Sequence, residues 1–402
     1  MKVWIDAAAG GAAIFGLTPV ERLLRAAGRV KPQPSEILLS GGTPPTGVPA
    51  DLPVRQRMEQ GPAGARLQNY LAGAGQEPVL VLDGASLVDD RLIALLAGQP
   101  AGLCAVDGEG EERTAVLLTS SAAAGAFSHE SRDVPEITEG LLAAGLLRPI
   151  AQTEFPSFIK HLRRDLPFYL QRLPDADSAG RAERFLFHSN YKGSTDFLTK
   201  WVYPPLVWRL TRLATRHAVH PNLITLVSIL LTFLAVPLFA SGQWVAGFLA
   251  AYAMSILDSV DGKVARVTLT DSAIGNLMDH GLDIVHPPFW YFAIAWGLTG
   301  GDVAAPAFQA AILLVGFYIA DRLVLSVSKW RWGYGLHAHA PIDGTIRTWI
   351  ARRNTNLVLL TLGYLVGQLE TAFYLVVIWQ GLTLAWHTGR TLWLLRTKPA
   401  TR

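Results

Sequence analysis

The stretch SILDSVDGKVARVTLTDSAIGNLMDHGLDIV, residues 255–285, sets Asp258, Asp261, Asp271, Asp279 and Asp283 among residues apolar enough to lie in a membrane. Asp258 and Asp261 stand three apart and Asp279 and Asp283 four apart, so on helices each pair shares one face. Gly275 falls four residues before Asp279 on that same face and lets a neighbouring helix or a ligand approach the backbone closely. The short link VTLTD brings the two pairs together, while Asp271 or Ser272 suits the N-cap of the second helix. Four converging carboxylates in a partly membrane-embedded site raise one another's pKa, or push the helices apart, unless cations neutralise them. Hard divalent cations take oxygen ligands, and a pair of Mg²⁺ (or Mn²⁺) ions held by carboxylates suits chemistry on a diphosphate. The pattern therefore points to two metal ions and a phosphate-bearing substrate. Taken singly, each aspartate is explained as well by pairing with Lys263, Arg266 or Arg322. Four of them at spacings of 3, 18 and 4, with Gly262, Ala265, Arg266 and Gly275 between, are not.

The elements that must carry these residues are legible in the hydropathy. Half of the 402 residues are apolar and 17% are charged, but the average hides an asymmetry. The first 190 or so residues mix charged, Gly and Pro residues in ordinary proportions, and the rest carries long apolar runs. The sequence predicts spans at roughly 222–240, 243–264, 272–298, 305–327, 355–368 and 371–394. Lys329, Arg331, Arg347, Arg352 and Arg353 crowd one loop and Arg390, Arg396, Lys398 and Arg402 the tail, whereas the opposite loops ASGQ, LTGGD and GQLE hold neither Lys nor Arg. By the positive-inside bias, the aspartate cluster and both termini face the cytosol, at the inner (plasma) membrane. The segment 199–217, TKWVYPPLVWRLTRLATRH, alternates apolar and basic residues and reads as an amphipathic helix at the interface; an ordinary connecting helix is the other reading. The start, MKVWIDAAAGG, lacks the charge and core of a secretory signal, and one cysteine, Cys104, allows no internal disulfide.

At the aspartates the sequence resembles the CDP-alcohol phosphotransferase (CDP-alcohol phosphatidyltransferase) family. That family's signature is D-x-x-D-G-x-x-A-R, eight residues, then G-x-x-x-D-x-x-x-D. Asp258, Asp261, Gly262, Ala265, Arg266, Gly275, Asp279 and Asp283 fill every position. The resemblance implies a six-helix membrane enzyme, usually a homodimer, that moves a phospho-alcohol group (phosphatidyl or phosphoinositol) from a CDP-linked donor to an alcohol or phospho-alcohol acceptor, releasing CMP. It implies that Asp258, Asp261, Asp279 and Asp283 hold the metals, that Asp283 also acts as general base, and that the nucleotide lies against Gly262, Ala265, Arg266 and Gly275. HPNLIT, 220–225, resembles a family pattern opening the first span; Thr225 touches the nucleotide in that reading, or serves packing. His280 and His286 flank the site and are expected to pack or meet headgroups. Asp321 and Arg322 read as a mutual pair or as cavity lining. Arg347, Arg352 and Arg353 satisfy the charge bias alone, or, with Arg322, bind a phosphate on the acceptor. A binder or carrier of divalent cations is the competing class, and carboxylates at one membrane end only, with none continuing a path, argue against it. Nucleic acid is not an expected partner.

The first domain reads as strand, Gly-rich turn and helix at 1–29, then an apolar strand ending at Asp83 in EPVLVLDGASLVDDRLIALLA, with a Pro/Gly loop at 41–53. It resembles the nucleotidyltransferase modules of fused inositol-phosphate cytidylyltransferase/phosphotransferase enzymes. The loop AAAGGAAIFG has no basic residue, and Lys31 comes only after the next helix, so the expectation is a degenerate, non-catalytic or regulatory domain; Asp83 is the metal-binding candidate if the domain is active and otherwise caps a turn. YKGSTDF, with Lys192 and Asp196, marks the join. The expected architecture is thus an α/β cytosolic domain over 1–190, a linker with an amphipathic interfacial helix over 191–220, and an all-α polytopic membrane domain of six transmembrane helices over 221–402.

Overall fold

The computed structural model describes residues 1–43, 45, 52–106, 115–159, 162, 164–191, 193–271 and 273–397, with only the backbone at 152, 273, 274, 276–280, 282 and 283. Two compact units divide the chain, the first built mainly from Met1–Phe158 and Asp165–Ser189, the second from Asn190–Arg266 and the residues from Thr270 on.

The first unit is an α/β sheet. Its elements are β1 (Lys2–Asp6), α1 (Pro19–Gly28), β2 (Glu36–Ser40), β3 (Val54–Arg57), α2 (Ala63–Gly73), β4 (Val79–Asp83), β5 (Ser86–Val88) and α3 (Asp90–Ala97). There follow β6 (Leu103–Val106), β7 (Ala115–Thr119), α4 (Val134–Ala143), β8 (Arg148–Pro149), β9 (Leu170–Arg172) and α5 (Ala176–Ser189). Seven strands lie in the order β3-β2-β1-β4-β7-β6-β8, and β9 pairs with β5 apart from them. The strands β3, β2, β1 and β4 run parallel. Val3 and Ile5 enter one core with Ile37, Leu39, Leu80 and Leu82, while Trp4, Leu38, Val79 and Val81 enter the other. That alternation is why the central strands read as continuous apolar runs: both faces are covered. Thr18 and Glu21 form a reciprocal capping box that starts α1.

Parallel strands leave β1 in both directions, to β2 and to β4, so the carboxyl ends of β1 and β4 form the crevice where such sheets bind ligands. Asp6 and Asp83 face each other there in register. Both are occupied internally. Asp6 Oδ1 accepts from Arg66 Nη2 at 2.7 Å and from the Ala8 amide at 3.2 Å. Burial pushes its carboxyl above the usual range, with the Arg66 charge opposing. Asp83 accepts from the Ala85 amide at 3.0 Å and the Ser86 hydroxyl at 2.6 Å, the arrangement of a turn cap. Most of the Pro/Gly loop at 41–53, and Lys192, lie outside the described residues.

The second unit is helical: α6 (Pro204–Arg216), α7 (Pro221–Ala240), α8 (Trp244–Val267), α9 (Ala273–Thr299), α10 (Pro306–Trp332), α11 (Pro341–Ile346), α12 (Arg353–Leu365) and α13 (Leu369–Thr397). Among the described residues, α7, α8, α10 and α13 are long and apolar enough to cross a membrane. Their outward faces are greasy: Leu223, Leu226, Leu230 and Phe233 of α7 are exposed at helical spacing, as a lipid-facing helix requires. With 13 residues α12 reaches only about 20 Å, short of the roughly 30 Å hydrocarbon layer. The helix α9 is 27 residues long and carries Pro287 and Pro288. Pro288 offers no N–H to the Ile284 carbonyl, and the Tyr318 hydroxyl of α10 donates to that carbonyl instead, at 2.9 Å. Ser272, a proposed N-cap of α9, lies outside the described residues.

Small residues set how closely helices approach. A Cβ on Gly363 of α12 would stand 2.2 Å from the Ala372 Cβ of α13 and 3.0 Å from the Gln368 carbonyl. Gly363→Ala therefore forces α12 and α13 apart and costs about 1–3 kcal/mol. It is expected to lower the thermal midpoint of the detergent-purified protein, with Ala372→Gly in the same chain recovering most of the loss. An unchanged midpoint for Gly363→Ala alone would refute the close contact.

Candidate active site

A cavity of about 340 Å³ opens at one end of the helical unit, where α8, α9, α10 and α12 meet the segment 190–199. Helix α8 presents Asp258, Gly262 and Arg266 to it at i, i+4 and i+8, one stripe of its surface, with Ser259 and Lys263 beside them. Helix α9 contributes Ile284, Pro287 and Tyr291, and α10 contributes Tyr318 and Arg322. Arg347 follows α11, and Arg352, Arg353 and Asn354 stand at the start of α12. Among the described lining residues, six are cationic (Lys263, Arg266, Arg322, Arg347, Arg352 and Arg353) and two are acidic, Asp196 and Asp258. Such a wall attracts anions, and the arginines offer the planar forks that suit phosphate oxygens.

Asp258 Oδ2 accepts from Arg353 Nη2 at 2.8 Å, across 95 residues of chain. Asp261 is buried, and its Oδ2 accepts from the Thr225 hydroxyl at 2.6 Å. Thr225 also donates to the Pro221 carbonyl at 3.2 Å and is itself buried, so its hydroxyl serves Asp261 and the first turn of α7. The described residues around the cavity include Gly262 and Arg266 but not Thr225, Asp261, Ala265 or Gly275. A Cβ on Gly262 would meet the Arg266 guanidinium at 3.1 Å, so the glycine leaves that cation room to lie along the helix. Asp279 and Asp283 fall in the first three turns of α9, and their side chains, like that of His280, lie outside the described residues. No group of three carboxylates, imidazoles or thiolates able to hold a metal occurs among the described residues. The two described candidates, Asp258 and Asp261, are nonetheless anionic oxygen donors one turn apart on α8, the donor chemistry that Mg²⁺ or Mn²⁺ takes.

Four further groups of charged and aromatic side chains pack together in this unit. Lys263 Nζ lies 3.2 Å from the centroid of the Tyr191 ring. Asp321 pairs with its neighbour Arg322 at 2.8 Å, and its other oxygen meets His387 Nδ1 of α13. His387 is fully buried in α13, where an ionisable side chain is costly unless paired, and Asp321 is its partner. The His337 ring packs against His387 at 5.0 Å. His337 Nδ1 donates to the Asp343 carbonyl at 3.1 Å, and burial, then the Arg347 charge, hold its pKa well below the usual histidine value. Asp343 receives Arg390 through two bonds of 2.8 and 2.9 Å. His286 is buried and packs edge-on against Trp290 at 4.8 Å.

Asp196 and Asn354 form the fourth group. Asp196 Oδ1 accepts from Asn354 Nδ2 at 3.0 Å and from the Thr199 amide at 3.1 Å, and Oδ2 from the Thr199 hydroxyl at 3.0 Å. Burial opposes its ionisation, but the Arg352 charge and these hydrogen bonds outweigh burial and hold the carboxyl below the usual range.

Residues 218–387 match the family model described as CDP-alcohol phosphatidyltransferase. Cholinephosphotransferase 1 of Gallus gallus is 34% identical over 128 residues, covering 29% of this chain and 38% of that protein. Archaetidylinositol phosphate synthase of Pyrococcus horikoshii is 29% identical over 170 residues, covering 42% of this chain and 78% of that protein. A crystal structure of Mycobacterium tuberculosis phosphatidylinositol phosphate synthase with CDP-DAG bound has a TM-score of 0.38 at 16% identity, covering 46% of this chain and 92% of that one.

Proposed function

As a member of the CDP-alcohol phosphatidyltransferase family by its residues 218–387, this chain, we propose, is an integral-membrane transferase that moves a phosphatidyl or phosphoinositol group from a CDP-linked donor to an acceptor hydroxyl, with release of CMP. The observation that carries the reading is the cavity wall: Asp258 on the signature helix, bonded to Arg353 and surrounded by arginines. Alcoholysis of a diphosphate needs the charge on the departing CMP balanced, the acceptor hydroxyl oriented, and bulk water kept away. In this reading two Mg²⁺ or Mn²⁺ ions, held by Asp258, Asp261, Asp279 and Asp283, supply Lewis-acid neutralisation of the diphosphate when bound. The chain supplies the rest. The backbone at Gly262, Ala265 and Gly275 lets the nucleotide close on the helices, Thr225 holds Asp261 in place, and Asp283 takes the proton of the acceptor hydroxyl. Arg322, Arg352 and Arg353 receive a phosphate carried by the acceptor, which favours a phosphorylated alcohol over a neutral one.

The same proposal includes six spans with α9 and α12 completing the set, α6 lying at the interface, a homodimer, and the active site and first unit on the cytosolic side of the inner membrane. The Lys and Arg residues gathered at one side of the helices support that orientation. The first domain, 1–190, is read as a degenerate nucleotidyltransferase. Its Gly-rich loop lacks a cation, and the two carboxylates at its crevice are committed to Arg66 and to a turn.

CMP release from detergent-purified protein with Mg²⁺ tests the reaction. CDP-diacylglycerol and CDP-inositol are compared as donors over a panel of alcohols and their phosphates. One donor–acceptor pair is expected to release CMP, and Asp283→Asn to reduce it on the order of 100-fold or more. Release by no pair, from protein that still binds Mg²⁺ and CMP, would instead favour a non-enzymatic cation- or nucleotide-binding membrane protein.

A further inference from the structure

Five residues of the cavity wall, Asn190, Tyr191, Thr195, Asp196 and Thr199, precede residue 218, where the match to the family model begins. Part of the wall is therefore supplied by a segment outside the matched domain. Asp196 is one of the residues through which that segment meets the rest of the site, alongside Tyr191 under Lys263 and Ser194, whose hydroxyl donates to the Gly344 carbonyl. It is buried, and one oxygen holds Asn354, 158 residues away. Asn354 is buried too, and its Oδ1 accepts from the Ser255 hydroxyl of α8, so its amide is fixed from both sides. The two residues before Asn354 are Arg352 and Arg353, both on the cavity wall, and Arg353 reaches across to Asp258. A residue anchored by its side chain at the second position of α12 restrains where the two preceding arginines stand, because they are joined to it through one and two peptide units.

We infer that Asp196 is a positioning residue: by holding Asn354 it fixes Arg352 and Arg353 for the phosphate of the acceptor, making the 190–199 segment a determinant of acceptor choice. The inference rests on the transferase reading for the word acceptor, but its physical content is the affinity of the arginine pair for a phosphate group. A narrower role would have Asp196 only cap the turn at Thr199, which its bonds to that residue also accomplish.

Binding to the full-length protein in detergent separates the two roles and needs no turnover. The probes are inorganic phosphate and, separately, CMP with Mg²⁺. Asp196→Asn, which keeps the shape but loses the charge and one acceptor, is expected to weaken phosphate binding about tenfold or more while CMP affinity stays within about twofold. The exchange Asp196→Asn with Asn354→Asp restores a carboxylate–amide pair across the same gap, and is expected to recover most of the phosphate affinity. Asp196→Ser keeps a capping oxygen for Thr199 yet should bind phosphate no better than Asp196→Asn. Phosphate binding unchanged in Asp196→Asn, or phosphate and CMP affinity falling together, or Asp196→Ser behaving as the unaltered protein, would each overturn the inference. Loss of CMP release with every acceptor in unaltered protein would count against the transferase reading alone, because the phosphate measurement stands without it.

Discussion

Asp258→Asn and Asp261→Asn are each expected to cut CMP release on the order of 1,000-fold, the scale of removing a preorganised charge from a reacting centre. Arg353→Gln should cost nearer tenfold. The contrast comes from what each group faces. Asp258 opens on the cavity and shares one oxygen with Arg353, so the amide of Asn loses the negative charge and turns an N–H pair toward a cation. Asp261 is buried against the Thr225 hydroxyl, and the amide there keeps the volume but lacks the charge. Removing Arg353 instead leaves both carboxylates in place, and Arg352, Arg347 and Arg322 still line the cavity. Asp302→Asn, in the loop between α9 and α10, is the matched control and should leave release within about twofold. The measurement is CMP release under saturating and limiting Mg²⁺. Asp258→Asn and Asp261→Asn within tenfold of the unaltered protein would remove these carboxylates from the reaction.

What the sequence disclosed and what it withheld follow one physical division. Hydropathy and the spacing of Asp258, Asp261, Asp279 and Asp283 are local, so the helical character of the six apolar stretches could be read directly, four of them proving long and apolar enough to cross a membrane among the described residues, as could the strands ending at Asp6 and Asp83. The Asp321–Arg322 pair joins adjacent residues and was equally legible. Partners brought together by tertiary packing were not. Arg353 meets Asp258 from 95 residues away, Asn354 meets Asp196 from 158, and His387 meets Asp321 from 66. Charge bias accounts for arginines crowded into one loop without placing them, and the structure puts Arg347, Arg352 and Arg353 on the cavity wall. His387 was discoverable in principle, because a histidine within the last apolar run is costly unless paired. Thr225 has two readings in the sequence, contact with the nucleotide or packing, and its hydroxyl donates to Asp261. Nothing in the PNLIT pattern distinguishes those two uses.

Arg66→Met is expected to open the first domain about 100-fold or more often, the consequence of stranding a buried carboxylate at about 3–5 kcal/mol. Arg66 is itself buried, and besides Asp6 it donates to the Ser40 carbonyl at 2.8 Å and the Gly61 carbonyl at 3.1 Å, tying α2 to the ends of β1 and β2. The sole cysteine offers a local reporter. Cys104 sits fully buried in β6 of the same sheet, and burial pushes its thiol up to about 11, so a maleimide reaches it only when the sheet opens. The penalty should also depend on pH, with a definite sign. Asp6 in the unaltered fold is already raised by burial, with Arg66 holding it down. Without Arg66 its folded pKa climbs further above the unfolded value of about 3.9, so the folded state holds a proton that the unfolded chain has released. Stability of the variant is then greatest below the unfolded pKa and declines as pH rises toward the new folded one. Labelling, corrected for the rate of a free thiol, should therefore exceed that of the unaltered protein by less at pH 5 than at pH 8. Arg66→Met with Asp6→Leu, which removes both buried charges, should regain much of the loss at either pH. Equal labelling of Arg66→Met and the unaltered protein would mean that the ion pair is not what holds the crevice of this sheet closed.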